Sequence, residues 1–93
     1  MHEVAARVRI EGRVQGVGYR YWTVEQARGR NLSGWVRNRR DGSVEALFAG
    51  TAEQVNDMIA ACHEGPLGAR VTDVRHSPAD PPAERGFRQM PTA

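Results

Sequence analysis

Three glycines fall within the seven residues from Gly12 to Gly18, in the run Gly12-Arg13-Val14-Gln15-Gly16-Val17-Gly18-Tyr19-Arg20. The residues before it alternate. Ala6, Val8 and Ile10 are small or apolar, while Arg7, Arg9 and Glu11 are charged. Period two marks a strand with one wet face. From about Tyr19 to Arg30 the pattern turns helical. A strand, a loop free to take positive φ and a helix start make up the layout of a backbone anion cradle. In such a loop the N–H groups from about Gln15 to Arg20 converge on one point, and the helix end adds ~0.3–1 kcal/mol toward an anion. Arg20 is the charged group placed to close on an oxyanion such as phosphate; the loop is not a Walker A motif, because Gly-Lys-Ser/Thr is missing. Arg13 is a second candidate. On the loop alone, a glycine-rich connection without a ligand remains an equal reading.

The rest of the chain supplies the elements around that loop. In the first helix Trp22, Gln26 and Gly29 share one line, the apolar stripe is weak, and Asn31 suits a left-handed C-cap. Residues 34–40 have strand composition. Asp41-Gly42 then gives a two-residue hairpin signal, with a return strand over Val44-Glu45-Ala46-Leu47-Phe48-Ala49. Thr51 and Gln54 form a capping box. Behind it, Val55, Met58, Ile59 and Cys62 lie at i, i+3, i+4 and i+7, one face of a second helix. Gly65-Pro66 stops it. Residues 69–76 read as a fourth strand, in which Val71 and Val74 have opposite parity and require a bulge between them. Residues 86–90, anchored by Phe87, add a short closing strand. The order βαββαβ is that of a ferredoxin-like split βαβ fold: an α+β two-layer sandwich with an antiparallel sheet, both helices on one face and a possible short fifth strand.

Composition limits the functional classes. The 93 residues make a single domain spanning 1–93. No apolar run approaches the ~20 residues of a membrane span, and the N-terminus has neither a basic n-region nor an apolar h-region. A cytoplasmic location is expected. One cysteine excludes an internal disulfide. All thirteen basic residues are arginine, so no lysine is present for Schiff-base chemistry, and every cation is a planar fork suited to phosphate or carboxylate. A net charge of +2 does not by itself argue for nucleic acid.

Few other residues suggest chemistry. Asn38, of the same parity as Val36, is either a turn-stabilising amide or one that holds a water beside a bound phosphate. His2, His63 and His76 do not cluster and lack partners at metal spacing, so they read as surface residues. Cys62 belongs to a helix core stripe. Ser33, Ser43 and Ser77 lack a nucleophile-elbow context. Arg37, Arg39 and Arg40 with Trp35 nearby could form a nucleic-acid face, but a solvated hairpin is the favoured reading.

The glycine segment through Arg20, followed by Gly34-Trp35-Val36-Arg37-Asn38 and then Asp41-Gly42, resembles the acylphosphatase family closely. Gly65-Pro66, Gly68-Ala69, Val71 and Gly86-Phe87 also fit. The resemblance covers nearly the whole chain. It implies hydrolysis of small acyl phosphates to a carboxylate and inorganic phosphate, and the ferredoxin-like fold. It puts the essential arginine at Arg20 and the water-orienting asparagine at Asn38, with the phosphate bound by Gln15, Gly16, Val17, Gly18, Tyr19 and Arg20. Arg13 then drops to a supporting role. No metal or organic cofactor is implied. The expected partners are a small acyl phosphate and inorganic phosphate, without nucleic acid or membrane, and the expected state is a monomer. Because the chain ends where the domain ends, a stand-alone enzyme is expected. Three departures stand out. Tyr19 replaces the common Phe. Arg30-Asn31 replaces a Leu-Gly pair, which predicts a looser helix end. Gln89 replaces an apolar residue, which predicts weaker packing of the last strand.

Overall fold

The computed structural model describes residues 3–93, so His2 lies outside the described residues. Strand β1 (Val4–Arg13) is followed by helix α1 (Tyr19–Gly29), β2 (Ser33–Asn38), β3 (Val44–Gly50), helix α2 (Ala52–Cys62), β4 (Arg70–Ala79) and β5 (Phe87–Gln89). The five strands lie in the order β4-β1-β3-β2-β5. β1 pairs antiparallel with β3 and β4, and β2 pairs antiparallel with β3. This is the expected split βαβ arrangement. The sheet departs from a wholly antiparallel one at a single edge, where β5 pairs parallel with β2. The chain leaves β4 at the far edge of the sheet and enters β5 beside β2, in the direction of β2.

Period two works on the inner face as read. Ala6, Val8 and Ile10 of β1, Val36 of β2, and Val44, Ala46 and Phe48 of β3 join one buried cluster with Val24, Ala27, Val55, Met58, Ile59 and Cys62 from the two helices. Both helices therefore cover the same face. α2 is built as its sequence indicates: Thr51 Oγ1 accepts from Gln54 N, and Gln54 Oε1 accepts from Thr51 N, both at 3.1 Å.

Four local expectations change. First, β1 continues through Gly12 and Arg13, so the glycine loop proper is residues 14–18. Second, α1 buries Tyr19, Thr23, Val24 and Ala27, while Trp22 and Gln26 are only half-buried and Gly29 is exposed. The inward line is i, i+4, i+8, and Thr23 fits it because its hydroxyl donates to Tyr19 O at 2.8 Å. Third, the end of α1 is not loose. Asn31 takes φ 59°, its N–H donates to Arg28 O, and Leu32 N donates to Ala27 O. Those two bonds complete a Schellman motif with buried Leu32 as its apolar contact. Fourth, the hairpin is not a two-residue type I′ turn, which needs positive φ at both central residues. Gly42 has φ 97° but Asp41 does not, and Arg39 N donates to Ser43 O at 2.8 Å. Arg40, Asp41 and Gly42 form a three-residue loop with glycine in the left-handed position.

The bulge in β4 lies where parity requires it. Glu11 faces Asp73 and Gly12 faces Val71, leaving Thr72 as the extra residue. Gly12 must be glycine here, with φ 124° and the backbone of β4 filling the space a Cβ would take.

The outer face of the sheet is drier than a half-polar strand suggests. Ala5, Leu47 and Ala49 are buried there beside Trp35, with the guanidinium of Arg37 4.7 Å from the Trp35 ring centroid. Glu45 is also buried and receives Arg37 at 2.9 Å, Arg39 at 3.2 Å and Arg7 at 3.4 Å. Two of the three hairpin arginines are thus ion-paired, not freely solvated. Among the described residues, no helix is long and apolar enough to cross a membrane.

Candidate active site

The glycine loop is pinned at alternate points. Val14 is buried, Val17 packs against the core, and Tyr19 is almost fully buried, while Gly16 and Gly18 are exposed. Gly16 and Gly18 have φ of 75° and 80°, and Val17 between them does not have positive φ. Such alternation brings successive N–H groups to one side of a loop. Gly18 is also the N-cap of α1. It offers no side chain to the free N–H groups, and the first turn carries no acidic residue. Trp22 N makes the first helical bond, to Gly18 O at 3.0 Å. The amides before Trp22 at the helix start therefore have no intrahelical acceptor, and the positive end of the helix is uncompensated.

Two tethers fix the loop. Tyr19 reaches across the core, and its hydroxyl donates to Cys62 O at the end of α2, at 2.6 Å. Burial raises the pKa of both groups and pushes the Cys62 thiol up to about 12, so both stay protonated at neutral pH. Gly65, at φ 68°, leaves room for the Tyr19 ring: a Cβ there would lie 2.6 Å from Tyr19 Cε2. The second tether is the Gln15 carboxamide, whose Nε2 donates to Arg39 O at 2.7 Å and Ser43 O at 2.9 Å. This links the loop to the β2–β3 hairpin.

Between loop and sheet lies a cavity of about 150 Å³, lined by Val14, Gln15, Gly16, Gly18, Tyr19, Arg20, Tyr21, Asn38 and Gln89. It brings together every residue that the family resemblance assigns to the site except Val17, whose side chain packs inward; Arg13, exposed at the end of β1, does not line it. Only the backbone of Val17 could face a ligand. The Gln15 amide group is already bound to the hairpin, which leaves its main-chain N–H for an anion. Arg20 makes no hydrogen bond or ion pair among the described residues. Asn38 Oδ1 is the one buried side-chain polar atom without a partner among the described residues. Its strand position follows from parity: Val36, two residues before it, is wholly buried beneath the helices.

The cavity also contains residues that sequence reading did not place there. In the sequence, Gln89 stands out only as a polar residue where an apolar one is usual. Gln89 is exposed and lines the cavity, while Phe87 anchors the strand, stacked on Phe48 at 5.6 Å. Nothing in the sequence distinguished Tyr21.

A larger, open groove of about 780 Å³ runs along the other end of α1, beside Arg28, Leu32, Arg85 and Phe87. None of the loop residues and not Asn38 reaches it, and Arg28 is occupied with Phe87 O. The smaller cavity combines an unpaired cation, free helix amides and an orphaned acceptor. His63 and His76 are exposed. Among the described residues, no group of three His, Cys, Asp or Glu side chains could hold a metal ion.

Comparison with known proteins bears on the family and the fold. The family model described as Acylphosphatase matches residues 6–89. An acylphosphatase of Nitrobacter winogradskyi is 54% identical, over 99% of this chain and 99% of its own length. One of Rhodospirillum rubrum is 56% identical, over 91% of this chain and 93% of its own. The crystal structure of acylphosphatase from Bacillus subtilis matches with a TM-score of 0.90 at 34% identity, covering 94% of this chain and 98% of that one.

Proposed function

The chain belongs to the acylphosphatase family and is a hydrolase, and we propose that it cleaves small acyl phosphates to a carboxylate and inorganic phosphate in the cavity between the glycine loop and Asn38. The main-chain N–H groups of Gln15, Gly16, Val17, Gly18, Tyr19 and Arg20 take the phosphate oxygens, and the Arg20 guanidinium bridges two of them. Asn38 holds a water in line with the scissile P–O bond. The observation that carries this reading is the unpartnered Asn38 Oδ1 in the same cavity as an unpaired Arg20. A buried acceptor left empty costs about 1–3 kcal/mol, so the site favours a ligand that donates to it, as water does.

The chemistry balances without a side-chain base. The water oxygen bonds to phosphorus, the bond from phosphorus to the acyl oxygen breaks, and the electron pair leaves on the carboxylate. The water proton passes to a phosphate oxygen. A carboxylate is a good leaving group, so positioning and charge stabilisation are the main requirements. Holding the water in register can offset several kcal/mol of barrier.

The proposal extends to a monomer working in the cytoplasm on a small molecule, without a metal and without nucleic-acid or membrane partners. The engagement of Arg37 and Arg39 with Glu45 supports the exclusion of nucleic acid, since it removes two cations from the basic cluster. Benzoyl phosphate hydrolysis tests the reading. Wild type is expected to turn it over, with competitive inhibition by inorganic phosphate and no response to EDTA. Arg20→Ala is expected to lose roughly 100-fold or more in kcat/KM. An inactive wild type, or a fully active Arg20→Ala, would contradict it.

A further inference from the structure

The cavity has room for only one end of the substrate. At about 150 Å³ it holds roughly five water volumes and is half the ~300 Å³ at which pockets begin to enclose larger ligands. A phosphoryl group and its attacking water fill that space. The acyl group must then rest at the mouth, between residues that the reaction itself leaves unused.

Two such residues line the cavity from opposite layers, Tyr21 on the first turn of α1 and Gln89 on β5. Tyr21 is 67% exposed and is the only exposed aromatic side chain among the described residues. Its ring combines an apolar face with a polar tip, which suits it to cover a planar group at the edge of a wet site. Its ring is held in place, since the hydroxyl donates to Glu25 Oε2, one turn further on, at 3.0 Å. Gln89 lines the same cavity, and its side chain makes no hydrogen bond among the described residues.

We propose that Tyr21, which lines the cavity together with Gln89, is the acyl subsite of this enzyme and gives it a preference for aryl over short alkyl acyl groups. The inference rests on the hydrolase reading above. Tyr21 supplies a flat apolar face beside Arg20, so a planar acyl group can stack on it while the phosphoryl end stays in the loop.

The test has a binding arm and a kinetic arm. By calorimetry, wild type is expected to bind phenylphosphonate roughly three- to tenfold more tightly than methylphosphonate, the size of one aromatic contact. Tyr21→Ala should abolish that difference, and Tyr21→Phe should keep it. In turnover, Tyr21→Ala should lower the ratio of kcat/KM for benzoyl phosphate to that for acetyl phosphate by a similar factor. A phenyl preference that survives Tyr21→Ala, or none in wild type, would overturn the subsite. If no acyl phosphate is hydrolysed at all, the hydrolase reading fails, and the binding arm still decides whether Tyr21 holds an aryl group.

Discussion

The carboxamide of Gln15 donates to the carbonyl oxygen of Arg39 at 2.7 Å, tying the glycine loop to the hairpin that follows Asn38. The two halves of the site come from segments more than twenty residues apart, and this bond sets their spacing. A loop of glycines has no stiffness of its own. Its shape is fixed by what it is tied to: Gln15 at one end and Tyr19 at the other.

Gln15→Ala should therefore impair catalysis while leaving the fold in place. The expected loss is roughly tenfold in kcat/KM for benzoyl phosphate, with a stability change of about 1 kcal/mol. Gln15→Glu should be worse, because a carboxylate cannot donate to two carbonyls and adds negative charge to an anion site. Wild-type kinetics in the Glu variant would show that the tether does not matter.

Tyr19→Phe removes the bond to the Cys62 carbonyl and little else, since the ring still fits against Gly65. The expected cost is about 1 kcal/mol, or a Tm roughly 4–8 °C lower. Thermal denaturation followed by circular dichroism checks it. An unchanged Tm would mean that a water replaces the hydroxyl without loss.

Acid stability should depend on the hairpin. The Ser43 hydroxyl and N–H, with help from Arg9, hold the Asp41 carboxyl down to about 2 from 3.8. A folded pKa below the unfolded one means stabilisation present above the unfolded value and lost as pH falls through the folded one. Asp41 therefore contributes fully above about pH 3.8 and progressively less toward pH 2. Glu45 adds to the same acid limb: burial raises its pKa, but Arg37 and Arg39 outweigh it and hold it low. Asp41→Asn should flatten the fall of Tm across that window. An identical acid limb in the variant would contradict the assignment.

Much of this was legible in the sequence, for local reasons. The capping box at Thr51, the i, i+3, i+4, i+7 face of α2 and the parity break in β4 are short-range patterns, and short-range physics decides them. The misread features depend on side-chain hydrogen bonds and ion pairs that hydrophobic patterning does not reveal. Asp41-Gly42 suits a tight two-residue turn, but Ser43 competes for the Asp41 carboxylate at 2.6 and 2.9 Å and draws the loop out to three residues. Thr23 looks too polar for a core until Tyr19 O accepts its hydroxyl. Glu45 looks solvent-facing until Arg7 of β1, Arg37 of β2 and Arg39 of the hairpin surround it. Within the proposed site, the glycine loop points to Arg20, whereas Asn38 stands out only through the family resemblance. Neither points to Tyr21 or Gln89, because only the folded sheet brings α1 and β5 to the same opening.

The most direct test of the proposed mechanism is to measure kcat for benzoyl phosphate and the inhibition constant for inorganic phosphate in Asn38→Ala. If Asn38 positions the attacking water, kcat should fall roughly 100-fold or more, while phosphate affinity, set by the loop and Arg20, changes little. Turnover near wild type would contradict the role of Asn38, and an equal loss of phosphate affinity would place it in anion binding instead.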